Sequence, residues 1–137
     1  MYSWLTCRGR EGPYVPKCIL IVDDSAVVRK TLWETLEQQG GWEVCGEAAD
    51  GREAIEKAQQ LEPDLVVLDI SMPVMNGLEA ARELKRLLPS VPLVMFTSFQ
   101  TPHLKREALA AGVSAVVSKF APGALFAEIH VLLEPVS

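Results

Sequence analysis

Residues 18–22, Cys-Ile-Leu-Ile-Val, form a short, continuously apolar run rich in β-branched side chains, and the run ends abruptly in two aspartates, Asp23 and Asp24. A segment of that length with no polar face reads as a strand buried on both sides, which is the condition of a central strand in a parallel sheet covered by helices. The same unit recurs along the chain. Leu65–Leu68, Leu93–Phe96 and Ala115–Val117 are further short apolar runs, while Trp42–Ala48 alternates in the manner of an edge strand. Helical stripes lie between them. Val28, Leu32 and Leu36 share one face before Gly40-Gly41 stops the pattern, and Ala54, Ile55, Ala58 and Leu61 stripe the next segment as far as Pro63. Leu104, Ala108 and Ala111 form a stripe closed by Gly112, and Leu125, Ile129 and Leu132 form a last one after Pro122. Asp50 with Glu53, and Asn76 with Glu79, set a capping residue three positions ahead of a glutamate, the spacing of a capping box.

Five strands and five helices in strict alternation predict an α/β fold with right-handed crossovers and helices on both faces of one parallel sheet. The common doubly wound, flavodoxin-like arrangement for five strands has the order 2-1-3-4-5, and its order reverses beside strand 1. That reversal opens a crevice at the carboxyl ends of strands 1 and 3, where a functional site is expected. Before this unit, residues 1–16 are interrupted by Gly9, Gly12, Pro13 and Pro16 and read as an irregular extension. The sheet domain is expected over residues 17–135, leaving no room for an output domain.

Composition narrows the class without naming a mechanism. The 137 residues, 49% of them hydrophobic, suffice for a core that needs no metal or disulfide staple. A formal charge of −5 lacks the basic footprint of a nucleic-acid binder, so no direct nucleic-acid contact is expected. No apolar run approaches the ~20 residues of a membrane span, and the N-terminus lacks a secretory apolar region, so the chain is expected to be cytoplasmic, with no membrane contact. Cys7, Cys18 and Cys45 show no metal-type or framework spacing and are expected to be free thiols.

The polar residues that fall directly after each strand are Asp23 and Asp24, Asp69, Thr97 and Lys119. Three carboxylates in one crevice repel each other and draw protons unless a cation compensates them, and an all-oxygen set suits Mg²⁺, which keeps waters open to phosphate. The ammonium of Lys119 and the hydroxyl of Thr97 supply what is needed to hold a phosphoryl group against a carboxylate. Asp69 is then the candidate nucleophile, forming an acyl phosphate. A single aspartate at a strand end commonly caps a helix, but capping does not require a lysine opposite three acids.

With these residues in family order, together with Val22-Asp23-Asp24-Ser25, Leu68-Asp69-Ile70-Ser71-Met72-Pro73, Met75-Asn76-Gly77 and Thr97-Ser98, residues 17–134 resemble a response-regulator receiver domain of two-component signalling. The resemblance implies that Asp69 is the phosphoacceptor, that Asp24 binds Mg²⁺ directly and Asp23 mainly through water, and that the backbone carbonyl of Ser71 completes the protein ligands. Thr97 and Lys119 would contact the phosphoryl oxygens. It also implies a phosphohistidine donor on a sensor histidine kinase or a phosphotransfer protein. A downstream partner or a second copy would dock on the face of helix 4, strand 5 and helix 5, with Leu104, Val116, Phe120, Leu125 and Phe126 as candidates. Such a module is not an enzyme but assists its own phosphorylation and dephosphorylation.

Two departures stand out. Phe120 follows Lys119 where the family has proline, which puts the positioning cis peptide in doubt, and Val116 stands where many receivers carry an aromatic switch residue. A phosphorylation-independent interaction module is therefore the alternative reading. A phosphatase with an aspartyl-phosphate intermediate is weaker, because Ser71 stands where a second carboxylate would be needed. Phe99 is expected to exclude water from the phosphoryl group and slow its hydrolysis. His103 and His130 read as solvent or interface residues, Trp33 and Trp42 as packing, and Arg82, Lys85 and Arg86 as a solvated helix face.

Overall fold

A computed structural model describes residues 16–133 apart from Pro73 and Phe99. Residues 1–15, with Cys7, and residues 134–137 lie outside that set, as does the expected role of Phe99. The elements alternate as β1 (Lys17–Val22), α1 (Ala26–Glu37), β2 (Trp42–Ala48), α2 (Gly51–Leu61), β3 (Leu65–Leu68), α3 (Gly77–Leu87), β4 (Leu93–Thr97), α4 (Pro102–Ala110), β5 (Ala115–Ser118) and α5 (Pro122–Leu133). All strand pairs are parallel, in the order β2-β1-β3-β4-β5.

The unbroken apolar runs divide their side chains between two cores. Leu20, Val22, Val66, Leu68, Leu93 and Met95 pack with Ala54, Ala58, Ala80, Ala81, Leu84 and Ala108 from α2, α3 and α4. The alternate residues Ile19, Ile21, Leu65, Val67, Val94 and Phe96 pack with Leu32, Leu36, Leu125, Ile129 and Leu133 from α1 and α5. Both faces of β1, β3 and β4 are thus covered, which is why those strands carry no polar alternation.

Caps set where the helices start. Ser25, Asp50, Asn76 and Thr101 each accept a hydrogen bond from the amide three residues on. The Asn76–Glu79 capping box is complete. In the Asp50 pair the return bond shifts by one residue, Glu53 accepting from the Ala49 amide at 2.8 Å instead of from its own cap.

Several expectations need correction. Cys18 and Cys45 are not free thiols but a disulfide, with Cα atoms 5.4 Å apart. Their separation of 27 residues carries no spacing signature, because it spans a whole helix; only the parallel pairing of β1 with β2 makes them neighbours. Leu125 belongs to the core rather than to a docking face, since the inward stripe of α5 is Leu125, Ile129 and Leu133. Lys85 is not simply solvated: its ammonium donates to the carbonyls of Pro89 and Val91, both at 3.0 Å. His130 lies against Trp42, ring centroids 4.4 Å apart, whereas His103 is exposed and sits 3.8 Å from Glu107.

Candidate functional site

Main-chain pairing places the site before any side chain acts. The Asp23 amide donates to Ala48 O at 3.0 Å, that of Asp69 to Val22 O at 2.9 Å, and that of Lys119 to Thr97 O at 2.9 Å. Each residue beyond a strand end is thus held by the neighbouring strand, continuing the ladder by one bond. The loop after Asp69 is fixed from both sides, as the Gly77 amide donates to Ile70 O at 2.8 Å and that of Gly51 to Met75 O at 3.1 Å. A Cβ on Gly77 would run into the carbonyl oxygen of Asp69 and the backbone of Ile70, so this turn requires glycine for close approach.

The side chains of Asp23, Asp24, Asp69 and Lys119 converge at the strand ends, and Thr97 closes β4 at the same edge. Asp23 and Asp69 are only 2% and 6% exposed and Thr97 1%, whereas Asp24 is open to solvent. Lys119 Nζ lies 2.7 Å from Asp23 Oδ2 and 3.4 Å from Asp69 Oδ2. The other oxygens are also engaged: Asp23 Oδ1 accepts from the Ser25 amide at 2.9 Å and Asp69 Oδ1 from the Ile70 amide at 2.8 Å. Phe120 does not displace the lysine. The Lys119–Phe120 peptide is trans, and the phenyl ring is 83% exposed, clear of the crevice.

Charge crowding shows in the titration of the groups. Burial first, and then the Asp23 carboxylate, raise the Asp69 pKa above the ordinary carboxylate value despite the opposing pull of Lys119. Burial also pulls the Lys119 ammonium down, but its bonds to Asp23 and Asp69 outweigh that and raise its pKa. A carboxyl that resists ionisation beside a second acid is a site that gains from another cation. Carboxylate oxygens of Asp23, Asp24 and Asp69 lie within 4.8 Å of one another, and an all-oxygen donor set of that span fits a hard divalent ion. Ser71 lies two residues beyond Asp69, exposed in the β3–α3 loop.

Arg29 is a participant that the sequence reading overlooks. From α1 its Nη1 donates to the Asp23 carbonyl at 2.7 Å, and its Nε donates to Glu47 of β2 at 2.5 Å. The Asp23 turn is thereby clamped to both α1 and the edge strand. The one available signal was a cation placed in the first turns of the helix that follows two acids. Val116 is half-buried against the α4-side core, and its carbonyl accepts from the side-chain Nε2 of Gln100 at 3.0 Å.

The family model described as "Response regulator receiver domain" matches residues 19–130, and the chain belongs to that family. It is 39% identical to chemotaxis protein CheY of Thermotoga maritima over 103 residues, covering 75% of this chain and 85% of that protein. It is also 44% identical over 102 residues to a protein-glutamate methylesterase/protein-glutamine glutaminase of Alkalilimnicola ehrlichii, covering 73% of this chain but 26% of the relative. Several related transcriptional regulators are matched over about half their length. Among solved structures, the CheX-CheY-BeF3-Mg complex of Borrelia burgdorferi contains a chain that superposes with a TM-score of 0.82 at 25% identity, covering 88% of this chain and 91% of that one. No helix among the described residues is long and apolar enough to cross a membrane.

Proposed function

We propose that this receiver accepts a phosphoryl group on Asp69 from the phosphohistidine of a sensor histidine kinase or phosphotransfer protein. The reading is carried by one observation: Asp69 is a buried carboxylate, crowded by Asp23 and faced by an ammonium 3.4 Å away. A carboxylate oxygen of Asp69 attacks phosphorus, the phosphorus–nitrogen bond to the donor imidazole breaks, and the imidazole leaves with the bonding pair and takes up a proton. Lys119 holds charge on the transferred phosphoryl oxygens, and the Thr97 hydroxyl donates to another. Asp23, Asp24, Asp69 and the Ser71 carbonyl would hold Mg²⁺. That ion would supply the positive charge that lets an anionic nucleophile meet an anionic phosphoryl group. Water later attacks phosphorus and returns Asp69 as a carboxylate, so the chain assists its own turnover without acting as an enzyme on a separate substrate.

Phosphorylation then biases two conformations and so changes protein–protein contacts. A downstream protein or a second copy would dock on α4, β5 and α5, where Leu104, Val116, Phe120 and Phe126 remain partly or fully exposed. The proposed setting is cytoplasmic, without direct nucleic-acid binding. The chain is treated with acetyl phosphate and Mg²⁺, and its intact mass is measured. A single acid-stable, base-labile phosphoryl adduct on Asp69 is expected. No adduct, together with no beryllofluoride binding, would select the phosphorylation-independent module instead, a reading favoured by Val116 standing where an aromatic switch is usual.

A further inference from the structure

We propose that the Cys18–Cys45 disulfide is a reversible thiol-exchange site, taking a dithiol as its reductant, and that it governs how firmly β2 holds the Asp23 turn. The coupling limb concerns the site proposed above and rests on that reading only for its effect on Mg²⁺. Cys18 lies wholly buried in β1, whereas Cys45 is partly exposed on β2, the edge strand. The pairing runs Ile19 with Val44 and then Leu20 with Gly46, so Cys45 is the extra residue of a bulge. A bulge on an edge strand is an accessible, locally irregular place, where backbone can move without breaking a central ladder.

The accessible sulfur dictates the chemistry. A thiolate of the reductant attacks Cys45 Sγ, the Cys18–Cys45 bond breaks, and Cys18 leaves as a thiolate that takes up a proton. The second thiol of the reductant then attacks its own sulfur in the mixed disulfide and releases Cys45, which is protonated in turn. Two electrons and two protons pass to the cysteine pair, and the dithiol is oxidised to a disulfide.

Release matters because β2 is tied to the crevice twice. Ala48 O accepts from the Asp23 amide at 3.0 Å, and Glu47 holds Arg29, which in turn donates to the Asp23 carbonyl at 2.7 Å. Among the described residues β2, as an edge element, has only β1 as a ladder partner. The disulfide is the covalent part of that pairing.

The test uses the full chain carrying Cys7→Ser, oxidised with glutathione disulfide and then treated with dithiothreitol under native conditions. Alkylation followed by mass analysis is expected to find no free thiol before reduction and two after it, with Cys45 labelled first. Amide hydrogen exchange is expected to quicken across 42–48 and at Asp23 on reduction, and the thermal midpoint to fall by about 10 °C. Mg²⁺ affinity, measured by calorimetry, is expected to weaken about tenfold, as when a supporting contact around a metal ligand is lost. Cys45→Ser should show none of these redox responses. Two free thiols after oxidation, or thiols released only by unfolding, would overturn the exchange site. Equal exchange at Asp23 in both redox states would overturn the coupling. Absence of Mg²⁺ binding in both states would tell against the magnesium reading of the crevice, while hydrogen exchange at Asp23 would still decide whether the disulfide is coupled to the turn.

Discussion

The two edges of the sheet use charge in opposite ways. At the amino edge three charged side chains are spent on backbone: Asp64 Oδ2 accepts from the Cys18 amide at 2.7 Å, Glu37 Oε2 accepts from that of Val44 at 3.1 Å, and Lys85 serves two loop carbonyls. At the carboxyl edge Asp23, Asp69 and Lys119 are directed at one another. The first arrangement stabilises the fold and offers little chemistry. The second holds like charges together under burial, which costs stability and leaves a carboxylate poised to react.

The largest expected effect separates the edges by function. Asp69→Asn should abolish the phosphoryl adduct in intact-mass measurements, whereas Asp64→Asn at the opposite edge should still be phosphorylated. Next comes the loss of the shared cation. Lys119→Met leaves two buried acids without their ammonium and should cost about 3 kcal/mol in urea denaturation without metal. Millimolar Mg²⁺ should restore much of that loss, and failure to do so would break the view of the crevice as a cation-deficient cluster.

Asp64→Ala removes a charged acceptor from a backbone amide and should cost about 2 kcal/mol, with no dependence on Mg²⁺. The smallest effect has the opposite sign. Asp69→Asn removes a carboxyl whose folded-state pKa is raised, so the wild-type protein is penalised when that group must be ionised. The stability linked to its proton is present at low pH and is lost as pH rises through the raised folded value. The variant should therefore be more stable than wild type by about 1 kcal/mol at neutral pH, and the gap should close in acid. A gap independent of pH would mean that packing, not charge, separates the two proteins.

Much of this layout was legible because position in an alternating fold is nearly a position in space. An apolar run announces a strand, and the residue just beyond it must lie at the carboxyl edge, so Asp23, Asp69, Thr97 and Lys119 could be gathered from the order of residues alone. What escaped depends on angles and registers that no run encodes. Arg29 reaches Asp23 and Glu47 because of the rotation of α1. Cys45 meets Cys18 because β2 lies parallel to β1 with a bulge, and α5 is apolar on several sides, so its residue pattern does not mark the face of Leu125 as the inward one. The substitution at Phe120 proved less disruptive to placement than its sequence suggests. Lys119 is set by its ladder bond to Thr97 and by the carboxylates it meets, so its neighbour's ring is free to project outward.

The ladder bonds to Ala48, Val22 and Thr97 carry a wider consequence. Because they are made by peptide groups, the spacing of the reacting atoms is inherited from the architecture itself rather than from any particular surface. Helix exteriors can diverge to suit new listeners while the chemistry stays in register. A unit built this way is portable, which accounts physically for kindred segments forming about a quarter of a methylesterase yet most of a small chemotaxis protein.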